Sequence, residues 1–509
     1  MLFVPPSARR LTTSLAVAAF GVLVSCGGGN TGGGGGGGGS APAYMDPIEG
    51  PAVVGGVLSA QMTVVPAMLD VAGEKDVVFF SLYNGDYMPQ TLRADPGDRV
   101  DILLQNYAVD PTNLHYHGMI ITPTSETAPA LGGIPPVNGD NIFLSVTPGT
   151  EFLYSFPIPA THPQGMFWYH PHRDPLLNTQ ISGGMSGAII IGDILEPFPE
   201  LADVPERVMV LKDLKLMDKM PVEDPDPAGP TKRTINGLWK PQIEMVPGQM
   251  EFWRIGNQSS NIFYQLTFGG QPFHIIGVDG SLENQVITET TMVLPPGSRR
   301  EVLVYGPPKG SYQLKTEAFN TGPDGDAYPG QVLATIKSSG TPVEEIALPA
   351  DFPVIPDMTS LVTKTKTVVF SDTANPNQFF IDGKPFTPDC IDYFVDRTDD
   401  AVEEWTIQNT AGEAHVFHIH QLDFQVTEVN GVPTPFTGYQ DVVTLPAAID
   451  DDTPSEVKVI IPFSDPIIAG KFVYHCHIIQ HEDQGMMATI FVQDAGGPTP
   501  VKPPCHPDE

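Results

Sequence analysis

Gly165-Met166-Phe167-Trp168-Tyr169-His170-Pro171-His172 and Gly470-Lys471-Phe472-Val473-Tyr474-His475-Cys476-His477 align without a gap, and this alignment sets the reading of the whole chain. Each stretch ends in two histidines with one residue between them. An earlier half-unit repeats with it, and a repeat of this kind fixes the domain count. Pro96-Gly97 leads through Val100-Asp101-Ile102-Leu103-Leu104 to Asn106, and Pro247-Gly248 leads through Phe252-Trp253-Arg254-Ile255 to Asn257 at the same separation. A third copy runs through Trp405-Thr406-Ile407 to Asn409. Nine residues after the first asparagine stands His115, in His115-Tyr116-His117-Gly118, and nine after the third stands His418, in His418-Ile419-His420. The middle copy has Leu266 and Phe268 in those places. Its later strand, Gly310-Ser311-Tyr312-Gln313-Leu314-Lys315, puts Lys315 and Glu317 where the histidines would stand.

Three homologous β-domains follow, with boundaries near residues 200 and 355 at the proline-rich joins Glu196 to Pro199 and Ala350 to Pro356. The expected organisation is a first domain over 46–200, a second over 201–355 that acts as a spacer without metal, a third over 356–495, and a tail over 496–509. A chain of 509 residues exceeds what one hydrophobic core supports. Its 51 glycines, 53 prolines and 17% charged residues suit many short strands joined by tight turns, so the fold class is all-β. The formal charge of −34 argues against nucleic acid and anionic membrane surfaces as partners, because the field repels polyanions.

The N-terminus stands apart. Arg9 and Arg10 precede an apolar run from Leu11 to Ser25 that is too short for a membrane span and reads as an export signal over residues 1–25. The run closes on Leu23-Val24-Ser25-Cys26, which resembles the lipobox of bacterial lipoproteins, with Cys26 as the acylated residue. A glycine tract from Gly27 to Ser40, broken only by Asn30 and Thr31, belongs to a linker over 26–45 and predicts a flexible coil of roughly 20 Å mean span. The expectation is an exported body whose only membrane contact is a lipid anchor at Cys26, facing the periplasm or the cell surface. The paired arginines resemble a twin-arginine signal with poorly matching flanks, so the export route stays open. Of the four cysteines, Cys390 and Cys505 are left over and could pair in an exported protein.

Side chains alternate along a strand, so residues two apart share a face. Four His-x-His pairs lie in segments read as strands: His115 with His117, His170 with His172, His418 with His420, and His475 with His477. Eight imidazoles converging in a core would be costly unless metal satisfied their nitrogens. Cys476, between His475 and His477, must face the other side of its strand. His415 is at an odd separation from His418 and His420 and faces away from them as well. His481 and Met486 follow the strand. A thiolate, two histidines and a methionine form the ligand set of a blue-copper electron-transfer site, with the methionine as weak axial ligand. Zinc also takes Cys and His, but it explains neither eight further histidines nor a redox-competent thiolate beside them.

His115-x-His117-Gly118, His170-x-His172, His415-x-x-His418-x-His420 and His475-Cys476-His477-x-x-x-His481 followed by Met486 resemble the four copper motifs of laccases and other multicopper oxidases. The resemblance covers residues 75–493. It implies three cupredoxin-like Greek-key β-sandwich domains and four coppers per chain, one type 1, one type 2 and two type 3. Carried over by position, His415, Cys476, His481 and Met486 hold type 1 copper. His115 and His418 hold type 2, and His117, His170, His172, His420, His475 and His477 hold the type 3 pair. Cys476, covalently flanked by His475 and His477, is the electron path to dioxygen, which takes four electrons to become water. Glu482 and Glu126 resemble the proton donors of bacterial laccases. The expected partners are dioxygen and a reductant, either a phenol or aromatic amine or, in a metallo-oxidase, a cuprous, ferrous or manganous ion. No methionine-rich insertion of the kind cuprous oxidases carry is visible in the third domain. The reading from another class is a copper-sequestering lipoprotein without turnover. Copper nitrite reductases share the sandwich but lack the paired His-Cys-His arrangement. His162, His274 and His506 match no motif and read as structural.

Overall fold

Alternating burial produces the layers. In the strand Arg99–Asn106 (β1) every second side chain, from Val100 to Asn106, is buried, as expected of a strand with one face on a core. The short strand His115–His117 (β2) and the strand Gly165–His170 (β3) form the opposite sheet, followed by the helix Leu177–Ser182 (α1). The second copy of β1, Met250–Asn257 (β4), is buried at every position, because its sheet is covered on both faces. Its neighbour Arg299–Tyr305 (β5) touches β3 of the first sandwich. In the third copy, Val402–Asn409 (β6) returns to near alternation, and His415–Ile419 (β7), Gly470–Cys476 (β8) and the helix Ile479–Asp483 (α2) follow.

The structure is a computed structural model that describes residues 41–125, 137–223, 231–374, 377–450 and 452–497. Cys26, Glu126, Cys505 and His506 lie outside the described residues, and with them the lipid anchor, one proposed proton donor and one half of the suggested disulfide. The described chain is all-β, in three successive two-sheet sandwiches of cupredoxin-like type. The first has two four-stranded sheets, and the second and third each have a six-stranded and a five-stranded sheet. In each, the opening strand runs parallel to the strand that ends in asparagine: residues 57–64 beside β1, 206–211 beside β4 and 364–370 beside β6. Parallel neighbours require a crossover, so the same path is followed three times. No helix of the described residues is long and apolar enough to cross a membrane.

The repeated asparagine has one job in all three copies. Asn106 donates to the carbonyls of Asp110 and Val146, both at 2.8 Å, and accepts from the Ala108 N–H. Asn257 and Asn409 do the same with Ile262, Leu294 and Ser259, and with Glu413, Pro446 and Ala411. A buried side-chain amide here replaces ladder partners that the chain loses on leaving the sheet. It fixes the loop that delivers the next strand, and in the first and third sandwiches that strand carries the histidines.

The cross-strand register then brings the histidine motifs face to face. His115 is opposite His170 in the β2–β3 pair, and His418 is opposite His475 in the β7–β8 pair. In the middle sandwich the pairing is displaced by one residue, with Leu266 opposite Thr316 rather than Lys315. Leu266 and Phe268 are fully buried in apolar core, while Glu317 is exposed and accepts from Thr267.

Candidate metal centre

The first donor group belongs entirely to the third sandwich. β7 supplies His415, the last residue of β8 is Cys476, and α2 carries His481. Their donor atoms converge: His415 Nδ1 and His481 Nδ1 are 3.1 Å apart, and Cys476 Sγ is 3.8 Å from each. The Val416 N–H donates to the sulfur at 3.5 Å, and the Phe379 ring stacks on His481 with centroids 4.0 Å apart. Met486 is fully buried, its N–H bonded to the His481 carbonyl and its carbonyl to the Cys476 N–H. Burial pushes the Cys476 thiol well above its ordinary value, so a thiolate here needs a cation beside it.

The second group is shared between the first and third sandwiches. Three triads of buried histidines, the first two sharing His117, lie close enough to hold metal: His115, His117 and His418; His117, His170 and His477; His172, His420 and His475. His117 Nδ1 lies 3.2 Å from His477 Nε2, and His475 Nε2 lies 3.1 Å from His420 Nε2 and 3.5 Å from His172 Nε2. As the two-residue period required, Cys476 faces His415 and His481 while His475 faces the other way. The strands stop earlier than expected. His172, His420 and His477 each lie just past a strand end. Pro171 cannot donate to a ladder, so the His172 N–H bonds instead to the Asn113 side chain at 2.6 Å.

The outer ring nitrogens are tied down, which aims the inner ones. His115 Nδ1 meets Asp140 at 2.8 Å, His418 Nδ1 the Asp441 carbonyl at 2.8 Å, and His170 Nδ1 the Pro171 carbonyl at 2.9 Å. Their Nε2 atoms are left buried with no hydrogen-bond partner. Carbonyls accept only from N–H, so in His418 and His170 the proton sits on Nδ1 and the lone pair points inward. Burial first, then mutual repulsion, holds His117, His170, His172, His418, His420 and His477 well below the ordinary imidazole range. Burial alone takes His415 down to about 3. Neutral imidazoles are the form that binds metal.

Glu482 is fully buried on α2, with Oε1 3.0 Å from His172 Nε2 and Oε2 2.9 Å from His475 Nδ1. A cavity of about 270 Å³ reaches His172 between Phe143, Phe386 and Met487. Four polar residues near the two groups carry no periodic or repeat signal: Asp140, Asp441, Arg299 and Glu413. Glu413 Oε1 lies 3.7 Å from His481 Nε2, and burial followed by Asp326, Asp372 and Asp324 pushes its carboxyl up to about 8. His162 is a satisfied core histidine, accepting from the Ile120 N–H at 3.0 Å and donating to the Pro163 carbonyl at 2.8 Å. His274 bonds to Thr288, away from either group.

Three family models described as multicopper oxidase match residues 69–195, 208–341 and 356–496. The chain is 24% identical to a multicopper oxidase of Staphylococcus haemolyticus, over 81% of this chain and 83% of that protein. It is also 24% identical to the cell division protein FtsP of Edwardsiella tarda, over 81% and 85%. Among solved structures, a multicopper oxidase of Campylobacter jejuni, described as a metallo-oxidase, superposes with a TM-score of 0.75 at 22% identity, covering 89% of this chain and 96% of that one. A laccase of Pediococcus acidilactici superposes at 0.73 with 25% identity, over 89% and 93%.

Proposed function

The chain belongs to the multicopper oxidase family, and from that premise we propose that it is a laccase-like oxidase. In this reading it oxidises phenols or aromatic amines one electron at a time and reduces dioxygen to water. The observation that carries the reading is two groups of donors joined through one residue: Cys476 meets His415 and His481, while its covalent neighbours His475 and His477 belong to separate histidine triads. His415, Cys476, His481 and Met486 would hold type 1 copper, and His115 and His418 type 2. The triads His117, His170, His477 and His172, His420, His475 would hold the type 3 pair. Unpartnered, buried, neutral nitrogens aimed inward and a softer sulfur donor fit copper, which supplies one-electron exchange at the first group and dioxygen reduction at the second.

The chain's own residues do the rest. Cys476 gives the shortest covalent link between the groups. Glu482 can hold a proton at Oε1, beside His172, and Asp140 fixes the orientation of His115. Glu126 is retained as a second proposed proton donor. Phe379 and the surrounding core keep water from His415 and Cys476. Cys26 is proposed as the acylated anchor of an exported protein, supported by the run that ends at Leu23-Val24-Ser25-Cys26.

One observation favours a second reading, in which the reductant is a cuprous, ferrous or manganous ion. Glu413 lies against the outer edge of His481 with three aspartates behind it, and such a cluster attracts cations. From another class, a relative named for cell division and the idea of a copper store both point to a role without turnover. A link through Cys476 between the two donor groups, superfluous for storage, favours turnover. Steady-state oxygen uptake by copper-loaded protein separates these readings. Consumption with phenols that Glu413→Gln leaves unchanged supports the first, consumption with metal ions that Glu413→Gln lowers supports the second, and none with any reductant removes both.

A further inference from the structure

The middle sandwich carries no histidine of either donor group, yet one of its side chains reaches the second group. Arg299, the first residue of β5, is 1% exposed and all three of its guanidinium nitrogens are bonded. Nη1 and Nη2 donate to the two oxygens of Asp441 at 2.8 and 2.7 Å, a bidentate fork. Nη2 also donates to the Asp279 carbonyl at 2.6 Å, Nη1 to the Gly297 carbonyl at 3.2 Å and Nε to the Met166 carbonyl at 3.0 Å. These partners come from all three sandwiches.

Asp441 passes the constraint on to two histidines. Its Oδ1 lies 3.2 Å from His117 Nε2, and its backbone carbonyl accepts from His418 Nδ1 at 2.8 Å. The two rings stack in parallel, with centroids 4.0 Å apart and planes 12° apart. His117 therefore has Nε2 against the carboxylate and Nδ1 toward His477, the reverse of His418, whose Nε2 faces inward. Gly118 completes the fit. Its φ is +81°, and a Cβ there would lie 2.3 Å from Asp441 Oδ2 and 2.4 Å from Arg299 Nη2. The guanidinium–carboxylate pair fills the space that the glycine leaves.

Resting on the metal assignment above, we propose that Arg299 is a positioning residue for the three-metal group: it holds Asp441 so that His117 and His418 present opposite ring nitrogens to the metals. The middle sandwich is then a working part of the cluster rather than a spacer. Arg299 touches none of His415, Cys476, His481 or Met486, so the first donor group serves as an internal control.

The test compares Arg299→Met, Arg299→Lys and Asp441→Asn with Arg254→Met, another buried arginine of the same sandwich, which pairs with Glu206 and Glu301 and contacts no ligand. Bound copper, the type 2 paramagnetic signal and the blue absorption are read in copper-loaded protein. Loss of a partner that orients a ligand typically weakens metal binding about 10–100-fold. Arg299→Met should shed copper from the three-metal group and lose or alter the type 2 signal with the blue band intact. Arg299→Lys, with its charge but no fork, should fall between, and Arg254→Met should match the wild type. A normal type 2 signal and full copper in Arg299→Met overturn the proposal. If that variant does not fold, Asp441→Asn decides: it keeps the carbonyl to His418, so an unchanged type 2 signal there also overturns it. Wild-type protein with neither signal would instead remove the underlying metal assignment.

Discussion

Replacing Cys476 by serine separates the electron link from the fold. The sulfur sits 3.5 Å from the Val416 N–H and 3.8 Å from both imidazoles of its group, in a fully buried position. A serine hydroxyl is smaller and polar, keeps the Val416 donor within reach and has no strong covalency to copper. Burying such a hydroxyl with incomplete partners costs about 1–3 kcal/mol, against a total stability of about 5–15 kcal/mol for a typical domain, so the protein should fold. His475 and His477 face the other group and keep their contacts with His420 and His117. Bound copper should therefore drop from about four to about three per chain, with the type 2 signal kept. The blue band and reductant-driven oxygen uptake should disappear together. Copper analysis, paramagnetic resonance, absorption and an oxygen electrode on one preparation read all four. Wild-type oxygen uptake by Cys476→Ser would refute the reasoning, because the link would then lie elsewhere.

Met486→Leu should raise the type 1 potential with full copper loading retained, since a weak axial thioether is lost; redox titration reads it, and an unchanged potential means that Met486 is not the axial ligand. Met487 is a poor substitute, because it packs with Ile142 and Val473 and lines the cavity at His172. Burial raises the Asp423 carboxyl from 3.8 to about 7. For an acid whose folded value exceeds its unfolded one, the associated stability is present below the unfolded value and lost as pH rises through the folded one. In the metal-free chain, Asp423→Asn should therefore gain on the wild type between about pH 4 and 7, by a few kcal/mol at most; denaturation midpoints that track each other across that range would contradict this. Cys26→Ala should leave copper binding intact and abolish partition with membranes, and a wild-type protein recovered wholly soluble with an unmodified N-terminus would end the anchor proposal.

The histidines and Cys476 were legible because two regular signals overlap on them, a repeat that copies the strand and a period of two that assigns each side chain a face. Both signals end where the strands end. His172, His420 and His477 join triads with the other motif histidines, but from positions just past the strand ends, where the period of two no longer assigns a face. The one-residue displacement of Leu266 against Thr316 could not be seen either, because cross-strand register is a relation between two segments far apart in sequence. Asp140, Asp441, Arg299 and Glu413 left no pattern at all. Asp140, Asp441 and Glu413 come from loops that the fold of a single sandwich brings to His115, His418 and His481, and Arg299 comes from another sandwich and arrives only after docking. Gly118 is the one local trace: a glycine immediately after His117 whose positive φ makes room for a pair of charges more than 180 and 320 residues away in sequence.

The two donor groups differ in ownership. His415, Cys476, His481 and Met486 all belong to one sandwich, whereas the three-metal group is divided across a seam, with His115, His117, His170 and His172 on one side and His418, His420, His475 and His477 on the other. With copper held as proposed, a newly made chain in which only the third sandwich had folded would turn blue but would have no place to bind and reduce oxygen. Only docking completes the second group, and the guanidinium of Arg299 bridges the seam at that point. Colour and catalysis therefore report different stages of assembly.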